Sequence, residues 1–117
     1  MQNNEFLEYI REMLQPFGLD KIRAMFGGFG LYYNEVMFAL IADNQLYFKA
    51  DNQSAEFFNK SGSEPFTYEN KGRIIKMSYW KVLPEVLEDH ETLKTWYDMA
   101  YKAAIDQKSS KIRRNKH

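Results

Sequence analysis

A chain of 117 residues has the length of one domain and can bury a genuine core. It contains no cysteine, which excludes a disulfide frame, a thiolate nucleophile and a thiolate metal site, and fits a reducing cytoplasm. The formal net charge of zero hides an asymmetry: residues 106–117 hold five of the 16 basic residues and one of the 16 acidic ones, so 1–105 is net −4. An acidic body with a basic tail is not the footprint of a dedicated nucleic-acid binder, and the tail is expected to give at most weak, non-specific contact with phosphate.

The start, MQNNEFLEYI, lacks a basic segment followed by an apolar run, so no signal peptide is expected. Asn3 or Asn4 can cap a first helix. Phe6, Ile10, Met13, Leu14 and Phe17 recur at helical spacing, and Pro16 and Gly18 end the pattern. Leu19 to Ala24 reads as a link that brings Arg23 to the lip of a strand.

The organising stretch is Met25 to Ala50, MFGGFGLYYNEVMFALIADNQLYFKA. Asn34-Glu35 and Asp43-Asn44 lie between apolar runs and suit two-residue hairpin turns, because Asn and Asp tolerate left-handed backbone. Counting outward pairs Tyr33 with Val36, Tyr32 with Met37 and Leu31 with Phe38. The second turn pairs Ala42 with Gln45, Ile41 with Leu46, Leu40 with Tyr47, Ala39 with Phe48 and Phe38 with Lys49. Alternation then puts Phe29, Leu31, Tyr33, Phe38, Leu40, Tyr47 and Lys49 on one face. Gly28, Gly30, Tyr32, Met37, Ala39, Ile41, Leu46, Phe48 and Ala50 share the other. Both faces are mainly apolar, so both are expected to be covered, by helices, a partner chain or a ligand. Gly27, Gly28 and Gly30 mark a close approach, of a helix before a ligand.

Asp51 or Asn52 can cap a short helix anchored by Phe57 and Phe58, which Ser61-Gly62-Ser63 stops. Asn70-Lys71-Gly72 supplies another hairpin turn. In the strand Arg73 to Lys81, Ile75, Met77 and Tyr79 face inward while Lys76 and Ser78 face water; Trp80, on the polar side, is placed to meet a helix or a partner. Leu83-Pro84-Glu85 opens a helical end region, with a break near Asp89-His90 before a helix from Glu91 to about Ile105. Leu93, Trp96, Ala100, Ala103 and Ala104 form its buried stripe.

Searches for chemistry find little. FGGFG matches neither phosphate-loop pattern and precedes a strand rather than a helix. His90 and His117 are the only histidines and have no metal-binding spacing, so no metal or cofactor is expected. The serines lack a nucleophile-elbow context. Lys49 stands out as a charged residue on an apolar face. It is a candidate base, nucleophile or anion ligand if desolvated, and otherwise a lysine whose stem packs on Phe38 while its head reaches water, Asp51 or Glu35. Arg23, near the glycines, is a second candidate anion contact, and otherwise a surface ion-pair partner.

Taken together, RAMFGGFGLY, FALIADNQLYFKAD, GSEPFTY, MSYWKVLPEVLED and LKTWYDMAYKAA resemble the N-terminal domain of the TfoX/Sxy bacterial competence regulators. The likeness spans about residues 5–105 and implies a compact α+β domain without a known catalytic centre. In longer relatives a second domain follows, and the whole protein promotes competence-gene transcription with the cyclic-AMP receptor protein. The present chain carries a short basic stretch there instead.

The sequence therefore predicts an α+β fold, an antiparallel sheet with helices packed on it, with the domain over 1–105 and a basic tail over 106–117. It points to a cytoplasmic, non-enzymatic regulatory or protein-interaction module that uses no cofactor. By resemblance its protein partner belongs to the transcription machinery, and two apolar faces with few helices allow a homodimer. No membrane association is expected. The alternative is a small-ligand or anion-binding domain, with catalysis not yet discovered. Candidate contacts for a ligand or partner are Arg23, Phe26, Gly27, Gly28, Lys49 and Trp80.

Overall fold

The structure, a computed structural model, describes residues 4–25 and 27–114. In chain order it runs α1 (Asn4–Leu14), β1 (Lys21–Met25), β2 (Gly28–Tyr33), β3 (Val36–Ala42), β4 (Gln45–Lys49), α2 (Asn52–Lys60), β5 (Pro65–Asn70), β6 (Arg73–Lys81), α3 (Pro84–Leu87) and α4 (His90–Arg114). The strands form one antiparallel sheet in the order β1-β2-β3-β4-β6-β5, so the fold is α+β. Residue 26, a candidate contact, and Asn3, a candidate cap, lie outside the described residues.

The turns follow the chemistry of their residues. Asn34 and Glu35 sit at φ 51° and 68°, and Asp43 and Asn44 at 50° and 57°, the left-handed pairs that match the twist of a tight hairpin. Lys71 and Gly72 repeat this at φ 54° and 80° between β5 and β6.

Counted register holds through the second hairpin, from Ala42–Gln45 to Ala39–Phe48. In the first it holds for Tyr33–Val36 and Tyr32–Met37 and then slips, because Leu31 pairs with Ala39 rather than Phe38. The additional residue makes a β-bulge, which turns the bulged side chain and bends the strand. Phe38 consequently faces the helices, with its ring 4.9 Å from that of Tyr97 and 6.3 Å from that of Tyr101. Lys49 loses Phe38 as a neighbour and pairs instead with Tyr79 of β6.

The bulge regroups the faces. Leu31, Phe38, Ala39, Ile41, Leu46 and Phe48 belong to the helix-side core with Phe29 packed against it, whereas Leu40 and Tyr79 are buried outside it. α4 lies across β3 and β4, and α1, α2 and α3 bring Leu7, Ile10, Leu14, Phe58 and Val86 into the same cluster. Full burial of Phe38, Phe48 and Phe58 contributes roughly 2–3 kcal/mol each. The helices thus cover one face of the sheet. Of the coverings expected for both faces, a helix is absent from the second among the described residues, which leaves a partner chain or a ligand as its cover.

Two element boundaries also differ from expectation. Lys21–Met25, read as a link, is an edge strand paired with β2 from Lys21–Tyr32 to Met25–Gly28. Its side chains are mostly exposed, so backbone pairing rather than an apolar pattern holds it, including Asp20 N–H to the Tyr32 carbonyl at 3.0 Å. α4 continues past Ile105 to Arg114 although its buried stripe ends at Ala104. Residues 106–114 contain neither glycine nor proline, and the Lys102–Asp106 pair at 2.9 Å supports the helix across the end of the stripe.

Candidate functional site

The helix-free face is concave. Met25 of β1 and Phe66 and Tyr68 of β5 belong to the two outermost strands, yet they line one groove together with Gly28, Met37, Leu40 and Met77. Opposite edges meet at one cavity only because the sheet curls, and the bulge in β3 is one source of that curl. The groove encloses about 350 Å³ and its walls are almost wholly apolar. Tyr47 packs edge-on against Phe66 at 5.0 Å between ring centroids, bracing the β5 wall.

Glycines shape the floor without admitting a helix. A Cβ on Gly28 would run into the carbonyl oxygen of Ile41, with the carbonyl carbon at 3.2 Å. A Cβ on Gly30 would meet the methyl ends of Met25 at 2.9 Å and Met37 at 3.1 Å. The close approach expected at these glycines therefore comes from β3 and two methionines, and not from a helix.

One end of this face is cationic. Lys49 is 7% exposed; its Nζ donates to Ser78 Oγ at 2.5 Å and sits 5.1 Å from the centre of the Tyr79 ring. Burial holds its ammonium below the ordinary lysine pKa. Among the described residues no carboxylate pairs with it. The two acids expected nearby are engaged elsewhere: Asp51 accepts from Ser54 N–H at 2.8 Å as the cap of α2, and Glu35 lies 4.0 Å from Lys21. Lys21 in turn lies 5.0 Å from the centre of the Tyr32 ring.

Burial, with the neighbouring Tyr32 phenol, pushes the Tyr79 pKa up to about 12. The native state resists ionising this phenol, whereas the unfolded chain ionises it near pH 10. Stability from Tyr79 is thus fully present below pH 10 and lost as pH rises toward 12, about 2–3 kcal/mol in all. Urea melts of wild type and Tyr79→Phe at pH 8, 10.5 and 11.5 check this; the wild type should lose more over that range.

The candidate contacts do not form one site. Arg23 is exposed on β1 opposite Gly30, and Lys49 is buried on β4, with β2 and β3 between them in the sheet. Gly27, at φ 77°, lies in the turn after β1, and Gly28 forms part of the groove floor. Trp80 pairs with Phe48 and packs on the helix-side core. Tyr79 and Met77, read as inward, face the groove side instead. Sequence reading passed over Met25, Met37, Phe66 and Tyr68; the surplus of apolar residues on a second face was the signal for them.

No group of three or more His, Cys, Asp or Glu side chains that could hold a metal occurs among the described residues. No helix there is long and apolar enough to cross a membrane.

Comparison with known proteins narrows the field. The model of the TfoX N-terminal domain family matches residues 12–104. Protein Sxy of Escherichia coli is 27% identical over 106 residues, covering 91% of this chain and 51% of that protein. The DNA transformation protein TfoX of Haemophilus influenzae is 26% identical over 108 residues, covering 90% of this chain and 50% of its own length. TfoX1 of Aliivibrio fischeri, also named a DNA transformation protein, is 35% identical over 60 residues, 51% of this chain and 29% of its own. The chain spans about half the length of the two longer matches. With most of its length matched and the α+β architecture in place, the chain belongs to the TfoX N-terminal domain family.

Proposed function

We propose that this domain is a non-enzymatic regulatory module that binds a protein partner across the helix-free face of its sheet. The observation that carries the reading is the groove of about 350 Å³, walled by methionines and aromatic rings from both edges of the sheet. Contiguous apolar surface of this kind on a small domain marks an interaction site. Flexible thioether side chains suit recognition of another chain. Two of the relatives are named DNA transformation proteins, and the reading places the module in the regulation of transcription in the cytoplasm. The basic stretch 106–117 adds at most non-specific nucleic-acid affinity.

The competing reading, an anion site built from Arg23, the glycines and Lys49, has Arg23 exposed on the edge strand β1 while Lys49 is buried against Ser78 and Tyr79.

A site-specific photo-crosslinker tests the interaction reading in living bacteria. Placed at Tyr68 or Met77 it should yield discrete protein adducts, and placed at Thr95, exposed on α4, it should not. Equal labelling from both sides, or none from the groove, would overturn the reading.

A further inference from the structure

Lys49 has a feature that the groove alone does not explain. An ammonium buried to this degree is costly unless a carboxylate offsets it, and among the described residues its one hydrogen-bond acceptor is a serine hydroxyl. An ammonium has three N–H donors, so two remain for another acceptor. The residue also adjoins the groove. Tyr47, two residues along β4, is cross-strand from the groove residue Leu40, and Tyr79, paired with Lys49, is two residues from the groove residue Met77.

Charges of both signs ring the face. Register puts Lys21 and Arg23 on this side through their partners Tyr32 and Gly30, and Lys81 through Tyr47. Against them stand Asp43 and Glu64, whose negative charge helps to raise the Tyr47 pKa, and Glu35 at the Lys21 end. Lys49 is the member of this set that is nearly removed from water without an opposite charge.

We propose that the groove takes an acidic amphipathic segment of a protein partner, with its large apolar side chains among Met25, Met37 and Met77 and a carboxylate on Lys49 Nζ. The inference rests on the reading of this face as a partner surface and adds the chemistry of the partner. The partner carboxylate supplies the charge that the free domain lacks, and the Tyr79 ring holds the ammonium in place from the side. Apolar side chains supply affinity, and the buried ion pair supplies orientation and choice of partner.

The test is selection of peptides from a random 16-residue display library on the immobilised full chain. Enriched peptides are then synthesised and their binding measured by fluorescence anisotropy. Wild type, Lys49→Met and Met77→Asp are compared, with thermal melts as the control for folding. The proposal expects enriched sequences in which Asp or Glu neighbours large apolar residues, binding at least ten-fold weaker to Lys49→Met and to Met77→Asp. Neutral or basic sequences, or Lys49→Met binding within two-fold of wild type, would overturn it. If Met77→Asp alone abolishes binding, recognition of the acid falls while the groove stands as a partner site. If neither variant matters, or no peptide is enriched, both readings fall. A wild-type dimer in sedimentation velocity that Met77→Asp splits would make a second copy the occupant and overturn the acidic partner.

Discussion

Gly28→Ala is expected to cost about 3 kcal/mol or more, a large share of the roughly 5–15 kcal/mol that holds a small domain folded. The added methyl would occupy the place of the Ile41 carbonyl, a backbone atom fixed by the β2–β3 ladder. Relief requires the two strands to part, which breaks pairing at the centre of the sheet. Gly30→Ala is the control. There the methyl meets only the flexible ends of Met25 and Met37, which can swing aside, so the cost should stay near 1 kcal/mol. Chemical denaturation of both variants checks the contrast. Because Gly30→Ala would push both methionines within the groove, it should also alter peptide affinity while the fold survives.

The second large effect lies at the bulge. Phe38→Ala is expected to cost about 3–5 kcal/mol, since a fully buried ring would leave a cavity facing Phe48, Tyr97 and Tyr101. Met37→Ala, one residue away, should cost roughly 1 kcal/mol, because Met37 is only half-buried and lines the groove. Regular alternation would also separate these neighbours, but the register counted from the turns would place Phe38 beside Lys49. A Phe38→Ala variant as stable as Met37→Ala would contradict the bulge. Equilibrium urea unfolding measures both.

Much of this fold is legible from local chemistry. Asn34-Glu35, Asp43-Asn44 and Lys71-Gly72 announce their turns, since few residue pairs accept left-handed backbone twice in succession. Asp51 and Ser54 write the start of α2 into the sequence as a reciprocal cap. The bulge is different. No residue type demands it, and it arises because Phe38 gains more among Tyr97 and Phe48 than on the face where regular alternation would leave it. One slip was enough to exchange the second half of β3, and β4 with it, relative to β2 in the faces assigned by counting. β1 escaped notice for a related reason, because an exposed edge strand held by backbone pairing leaves little hydrophobic period to read. The site followed the same pattern. Lys49 was visible as an anomaly, but its partners were not, because both Ser78 and Tyr79 come from a strand about thirty residues on.

The order of strands divides the sheet into two arrays. β1 to β4 join by tight turns as one meander, and β5 and β6 form a separate hairpin. Between these arrays the ladder is short, running from Tyr47–Lys81 to Lys49–Tyr79. The seam between them closes a longer loop through α2, a costlier pairing than either local hairpin. Met25 and Met37 ride on one array, and Phe66, Tyr68 and Met77 on the other. The two walls of the cleft therefore belong to different arrays, and Lys49 lies in the short ladder that joins them, beneath a core both arrays share.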